Sequence, residues 1–213
     1  MTNDIIDFPK IKSPFVRKKI NGHYVVTPEI EKGYEWVFEE EGVQAVDKLH
    51  GSCLCCLFKA GILQSIDNRT TRVIPEPCIS TNMNSNETRM IEGVINAISR
   101  KWIPKSFTGR LYGELVGPSI NGNIHLLDEH YFVPFDWLKK HSKWNTWFEN
   151  RYPKDFESIS EWFKDLTSLF TYRMTHATDY AEGLVFYSKD GKLAKIRRDM
   201  FSWYYTEKYS PKR

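Results

Sequence analysis

Three short β-rich runs succeed one another between Val43 and Asp67 with little chain to spare, at residues 43–47, 52–58 and 61–67. The joints are Lys48-Leu49-His50-Gly51 and the tight turn Lys59-Ala60-Gly61. Turn residues between runs of this composition predict strands connected at short range. Lys48 thus stands at the end of one strand, before a glycine-relieved turn into the next, so the backbone holds it in place. A lysine held in that way suits the role of an amine nucleophile. Lys-x-x-Gly is common by chance, and the weight of Lys48 depends on the residues downstream of it.

The rest of the chain reads as mixed α and β. Residues 28–40 read as a helix, with Thr27 as N-cap and Pro28 in the first turn. A polar loop at 82–85 leads into a helix expected from Glu87 to about Trp102, where Met90, Ile91, Val94, Ile95 and Ile98 recur at helical spacing. Strands are expected at 109–116 and 124–136, on either side of Pro118-Ser119-Ile120-Asn121-Gly122-Asn123. The tryptophan-rich stretch 137–170 carries helical spacing in Ile159, Trp162, Phe163, Leu166 and Phe170. It is expected to be a helical insert, either a layer over a sheet or a substrate lid. Two last strands, at 183–188 and 192–197, flank the turn Ser188-Lys189-Asp190-Gly191. No repeat or low-complexity linker divides the chain. The expectation is one α+β domain over residues 1–213, with antiparallel sheets flanked by helices and a flexible segment at 1–13.

Composition narrows the classes. Hydrophobic residues make up 41% and aromatic residues 15% of the 213 positions, the balance of a packed globular chain. No run approaches the roughly 18 apolar residues of a membrane span. The start, Met1-Thr2-Asn3-Asp4-Ile5-Ile6-Asp7, lacks the basic and apolar regions of a signal peptide. The expected location is cytoplasmic or nuclear, and a viral or phage origin is compatible with it. A net charge of +3 permits a nucleic-acid partner without requiring one. Cys53, Cys55, Cys56 and Cys78 lack the paired Cys-x-x-Cys spacing of a zinc knuckle, and are expected to be buried small hydrophobes in a reducing compartment.

Other chemistry-bearing residues come after Lys48 in order. Arg69 lies in Asp67-Asn68-Arg69-Thr70-Thr71-Arg72, with Arg72 as a competitor for the same task. Glu114 lies in Tyr112-Gly113-Glu114-Leu115-Val116-Gly117, and an aromatic strand runs Tyr131-Phe132-Val133-Pro134-Phe135-Asp136. Glu182 opens Glu182-Gly183-Leu184-Val185-Phe186, and Lys195 and Arg197 share one face of the last strand. Taken singly, these residues have duller readings as solvated lysines, half-exposed glutamates, core phenylalanines and a charged strand edge. Together they could handle a nucleoside triphosphate and a metal.

This order resembles the covalent nucleotidyltransferases, the superfamily of ATP-dependent polynucleotide ligases and mRNA capping enzymes. Lys48-Leu49-His50-Gly51, with His50 in place of the more usual aspartate, resembles the nick-sealing RNA ligases of the phage and kinetoplastid RNA-editing type. Tyr112 to Gly117 is similar to that group's third motif. Lys195-Ile196-Arg197-Arg198-Asp199-Met200-Phe201-Ser202 is similar to its fifth, with arginine in place of the second lysine. The resemblance implies a nucleotidyltransferase (ATP-grasp-like) fold and an enzyme that joins RNA ends using ATP and Mg²⁺ or Mn²⁺. Lys48 would form a lysyl-adenylate, pass AMP to a 5′-phosphate RNA end, and allow a 3′-hydroxyl to displace it. Asp47 would stand near the adenine, Arg69 would contact ribose or phosphate, and Glu114 would accept from the ribose hydroxyls. Phe132 would stack on the adenine, with Phe135 as the alternative. Glu182 would hold the metal, and Lys195 and Arg197 would neutralise phosphates. A DNA ligase, a capping guanylyltransferase, or a non-catalytic nucleic-acid-binding homologue would share the fold.

Elementary chemistry makes these roles coherent. A free lysine has a pKa of about 10.4, so roughly one in 2,500 is an uncharged amine at pH 7, a deficit on the order of 4 kcal/mol. Neighbouring cations reduce that deficit and also stabilise charge on a phosphoryl group in transit. Two departures from the family pattern stand out. Cys53 occupies a place usually held by a small polar residue, and eleven residues come after Ser202. No OB-fold or helical C-terminal domain is expected in that length, which leaves room for a partner protein or domain. The basic and aromatic tail, including Trp203, Tyr204, Tyr205, Lys208 and Tyr209, is expected either to hold nucleic acid or to pack on the domain.

Overall fold

Leu54, Cys56 and Phe58 alternate along one strand and point to the same side, each at most 1% exposed. That period places one core of the computed structural model, which describes residues 8–68, 71–74, 82–144 and 154–205. The architecture is mixed α and β, with antiparallel sheets flanked by helices. The chain divides into two compact units, one of residues 1–9 and 50–140, the other of residues 10–49 and 141–213. Each unit is discontinuous in sequence.

The unit containing residues 50–140 is built on a five-stranded sheet. Its strands are β4 (Ser52–Lys59), β5 (Ile62–Asp67), β6 (Arg72–Ile74), β7 (Gly109–Val116) and β8 (Tyr131–Pro134), in the order β6-β5-β4-β7-β8. The turn into β5 is set by Gly61, whose φ is +80° and whose added Cβ would lie 1.9 Å from the Lys105 carbonyl oxygen. Helix α2 (Ser85–Ser99) opens on a capping box. The Asn84 side chain accepts from the Asn86 and Glu87 amides, and Glu87 accepts from the Asn84 amide. Val94 and Ala97 of α2 pack with Leu54, Cys56, Phe58, Ile66, Leu111 and Leu115 in one core.

The second unit holds a two-stranded ribbon, β1 (Phe15–Ile20) and β2 (His23–Ile30), and a four-stranded sheet. The sheet contains β3 (Gln44–Lys48), β9 (Lys143–Trp144), β10 (Gly183–Tyr187) and β11 (Leu193–Arg197), in the order β11-β10-β3-β9. Ala45, Leu184, Phe186, Ala194 and Ile196 line its buried face. Short helix α1 (Trp36–Glu39) and α4 (Phe156–Asp165) cover that face through Val37, Phe38, Ile159 and Phe163. Helix α5 (Leu169–Thr175) starts at Ser168, whose hydroxyl accepts from the Thr171 amide.

Several sequence expectations are corrected. Residues 23–30 are a strand, so the helix expected over 28–40 shrinks to Trp36–Glu39. Val25 and Val26 pair with Lys18 and Arg17, and the register shifts between Phe15 and Arg17, the irregularity at which β2 accommodates Pro28. Thr27 does not cap a helix; its hydroxyl donates to the Val16 carbonyl. The strand expected over 124–136 is confined to Tyr131–Pro134. Left-handed backbone at Asn121, Asn123 and Leu126 turns the preceding chain instead. Within the stretch 137–170, α3 (Phe135–His141) begins in the first unit, α4 and α5 belong to the second, and residues 145–153 lie outside the described residues. Within the segment expected to be flexible, residues 1–7 lie outside the described residues. Phe8 packs on Tyr112 and Phe135, and the Lys12 carbonyl accepts from the Lys195 amide. Among the described residues, no helix is long and apolar enough to cross a membrane.

Candidate functional site

The register of the four-stranded sheet brings distant residues into line. Lys48 on β3 pairs with Gly183 on β10, which pairs with Arg197 on β11. Two residues along, Val46, Val185 and Lys195 form the next row on the same face. Lys48, Lys195 and Arg197 therefore share the face opposite the core. Gly183 lets the strands close at this point. A Cβ there would lie 2.1 Å from the Ile196 carbonyl oxygen and 2.7 Å from Arg197 Cα.

Glu182 precedes β10 and supplies the negative charge. Lys48 Nζ donates to Glu182 Oε2 at 2.6 Å and to the Leu49 carbonyl at 3.1 Å. Arg197 Nη1 lies 3.8 Å from Glu182 Oε1, and Arg197 Nη2 lies 3.0 Å from Asp199 Oδ2. The Lys48 and Glu182 side chains are 19% and 13% exposed, too enclosed to be an ordinary surface pair. The Arg198 amide donates to the Glu182 carbonyl and fixes the backbone beside that carboxylate. Arg198 itself is structural: its guanidinium is buried, lies 4.2 Å from the Tyr180 ring centroid, and donates to the Phe163 and Lys164 carbonyls.

Asp47 occupies the other face of β3. It pairs with Leu184, which pairs with Ile196, so its row is the core row. Its side chain is buried, and Oδ2 accepts from the Ser168 hydroxyl at 2.8 Å and the Phe170 amide at 2.9 Å. Burial pushes its pKa up to about 7 against the opposing pull of those hydrogen bonds. Oδ1 is buried with no hydrogen-bond partner among the described residues. An adenine contact was expected of Asp47; in the fold its carboxylate lies on the core face. Adjacent strand residues face opposite ways, and Asp47 ties β3 to the start of α5 instead.

In the unit of residues 50–140, Glu114 is half-buried on β7, opposite Cys53 of β4 and Val133 of β8. Phe132 pairs with Leu115, so it shares the core face with Leu111 and Leu115, away from Glu114. It is 0% exposed, and a Cβ on Gly113 would lie 2.8 Å from its ring carbons. Its ring is enclosed on the core face, where a stacking contact with the adenine was expected. Phe135, the alternative, is half-buried at the start of α3, with its ring centroid 4.8 Å from that of Phe8. Phe8 lies 5.4 Å from Tyr112, which shares the Glu114 face of β7. Burial, with the neighbouring Cys55, pushes the Tyr112 phenol up to about 12.

Arg69 lies outside the described residues. Arg72, its competitor, is engaged by Asp67, with Nε 2.9 Å from Oδ1, and this bond holds its pKa above the usual arginine value. Sequence reasoning missed Ser168, Asp199, Phe8 and His125. Nε2 of the buried His125 accepts from the His50 amide at 3.1 Å, a pairing between residues 75 positions apart that no local pattern signals. Asp199 was within reach, two residues beyond Arg197. Cys55 and Cys56 are buried and Cys53 is half-buried, while Cys78 lies outside the described residues. Among the described residues, no three His, Cys, Asp or Glu side chains cluster as a metal site.

A scan against protein-family models finds no match, and a search of curated proteins finds none. Among solved structures the chain is similar to Naegleria gruberi RNA ligase. An apo mutant form of that protein aligns at 18% identity and a TM-score of 0.46, over 89% of this chain and 61% of that one. A mutant with ATP and Mn aligns at 16% identity and a TM-score of 0.46, over 88% and 59%. The form with PPi aligns at 18% identity and a TM-score of 0.45, over 89% and 61%. This chain spans about three-fifths of the length of those it matches.

Proposed function

We propose that this chain is a nucleotidyltransferase of the ATP-dependent RNA ligase kind, with Lys48 as the residue that takes up AMP. The observation that carries the reading is the pair between Lys48 Nζ and Glu182 Oε2 at 2.6 Å, on a sheet face that also bears Arg197 and Lys195. A half-buried amine at the end of a paired strand, beside a guanidinium and a second ammonium, is arranged for attack on a phosphate. In this reading Nζ bonds to the α-phosphorus of ATP, the bond to the bridging oxygen breaks, and pyrophosphate leaves. Nζ must give up one proton to free its lone pair, for which Glu182 Oε2 is within hydrogen-bond reach, and a second to the departing pyrophosphate or to water once the bond to phosphorus has formed. Arg197 and Lys195 set positive charge against the phosphate oxygens. AMP then passes to a 5′-phosphate RNA end, and a 3′-hydroxyl displaces it to close the strand.

The donor set around Glu182 fits a divalent cation that arrives with the nucleotide. It offers one carboxylate, and Mg²⁺ takes few protein ligands, filling its shell with water and phosphate oxygens. Glu182 would hold Mg²⁺ or Mn²⁺, and such an ion, when bound, supplies further positive charge against the phosphates. For Glu114, a half-buried carboxylate off the core face of β7, the proposed ligand is a pair of ribose hydroxyls. Arg69 keeps the ribose or phosphate role that the resemblance implies.

The test is incubation with α-labelled ATP, α-labelled GTP or labelled NAD and a divalent metal, read on a denaturing gel. The same protein is then given nicked RNA or nicked DNA. Label from ATP and sealing of RNA support the reading. Label from GTP alone points to a capping guanylyltransferase, sealing of DNA alone to a DNA ligase, and no label to a binding protein; each of these overturns it.

A further inference from the structure

The positive charge of this chain is concentrated in one short segment. Residues 10–28 carry Lys10, Lys12, Arg17, Lys18 and Lys19 and no acidic residue. The whole chain has 30 Lys and Arg against 27 Asp and Glu, so the remainder has 30 − 5 = 25 against 27. The segment holds +5, while everything else sums to −2. Most of it forms the β1–β2 ribbon, which extends neither larger sheet. Phe15 and Val26 anchor the ribbon in the core, whereas every residue from Arg17 to Tyr24 is exposed. The turn at its tip, Asn21-Gly22, has φ of 49° and 85°, the tight left-handed geometry that favours a regular hairpin.

Cross-strand register sorts the exposed side chains. Lys19 pairs with Tyr24 and Arg17 with Val26, so Arg17, Lys19 and Tyr24 share one face. Tyr24 is 59% exposed, and the Arg17 guanidinium lies 6.0 Å from its ring centroid while donating to its carbonyl at 2.7 Å. On the other face, Lys18 makes an exposed pair with Glu29 at 3.0 Å, and His23 stacks on Tyr205 with centroids 3.7 Å apart. Lysines on a ribbon edge often serve only to block edge-to-edge pairing. An exposed tyrosine ring between two cations does not serve that purpose. It is the pairing of stacking surface and phosphate-binding charge that single-stranded nucleic acids require.

We propose that the face of the β1–β2 ribbon bearing Arg17, Lys19 and Tyr24 is an RNA-binding surface, with Arg17 and Lys19 contacting successive phosphates and Tyr24 stacking a base. The choice of RNA as polyanion rests on the reading given under Proposed function. The test is fluorescence anisotropy of a short labelled single-stranded RNA, titrated with the full chain at several KCl concentrations. Thermal melts check folding, and uptake of label from ATP at Lys48 is measured separately on the same preparations.

The combined variant Arg17→Glu/Lys19→Glu is expected to weaken binding by tenfold or more. Its dependence of log affinity on log salt should be shallower by about 1.4, at about 0.7 for each phosphate no longer neutralised. Tyr24→Ala is expected to cost about tenfold, the loss of one stacked base, with the salt slope unchanged. If the combined variant does not fold, the exposed single variant Lys19→Glu carries the same test, with a slope change of about 0.7. Lys48 labelling should persist in all of them. A wild-type protein that binds the RNA and takes up no label overturns the ligase reading and leaves the ribbon assignment standing. A folded charge-reversal variant with unchanged affinity and slope overturns the assignment. So does a wild-type protein that binds phosphatidylserine vesicles and not the RNA.

Discussion

Lys48 Nζ and Glu182 Oε2 lie 2.6 Å apart although 134 positions separate them along the chain. The contact is made by register. Lys48 and Arg197 each pair with Gly183, so the residue just before that glycine can reach both cations. Glu182→Gln keeps an acceptor beside Lys48 and removes the charge. Covalent uptake of AMP is expected to fall by about a hundredfold or more, while the melting temperature stays close to wild type. A single-turnover labelling assay checks this, and wild-type uptake in the variant would refute the role given to Glu182.

Asp47 makes stability depend on pH. Its pKa in the folded chain, about 7, lies above the ordinary 3.8. The native state therefore binds the proton more tightly than the unfolded state. Its contribution to stability is full below about pH 4 and is lost as pH rises through about 7. Asp47→Asn keeps an oxygen for Ser168 and Phe170 and has no charge to bury. Denaturant unfolding from pH 5 to 8 should show a flatter profile in the variant, with a gain of about 1–3 kcal/mol at pH 8. Parallel profiles for the two proteins would remove Asp47 as the cause.

Phe132 and Phe135 separate packing from ligand contact. Phe132→Ala empties a fully buried site and is expected to cost about 3–5 kcal/mol of stability. Phe135→Ala, at a half-buried position, should cost less. Urea denaturation of the two variants measures the difference. A Phe132→Ala protein as stable as wild type, with weakened ATP binding, would restore the stacking role to Phe132.

Much of this was legible from local pattern. β4 and β5, and β10 and β11, fall where alternation and glycine turns place them, because hairpins carry their signal in adjacent residues. The separation of Asp47 from Lys48 was legible too, since period-2 alternation alone puts neighbours on opposite faces. The ribbon strand β2 was not. Thr27-Pro28 is a plausible helix start, and only pairing with residues 15–20 overrules it. Phe132 was ambiguous because a single strand does not reveal which of its faces meets a helix; here the helix face carries Leu111, Gly113 and Leu115. The meeting of Lys48, Glu182 and Arg197 depends on the order β11-β10-β3, which no local window contains.

Lys48 is the centre of the account, and one gel tests it. Wild-type chain and Lys48→Ala are incubated with α-labelled ATP and Mg²⁺ or Mn²⁺, denatured and separated. The expected result is a labelled wild-type band, removed by treatment with pyrophosphate, and no band for the variant. A labelled Lys48→Ala band, or a folded wild-type protein that takes up no label, would contradict the account.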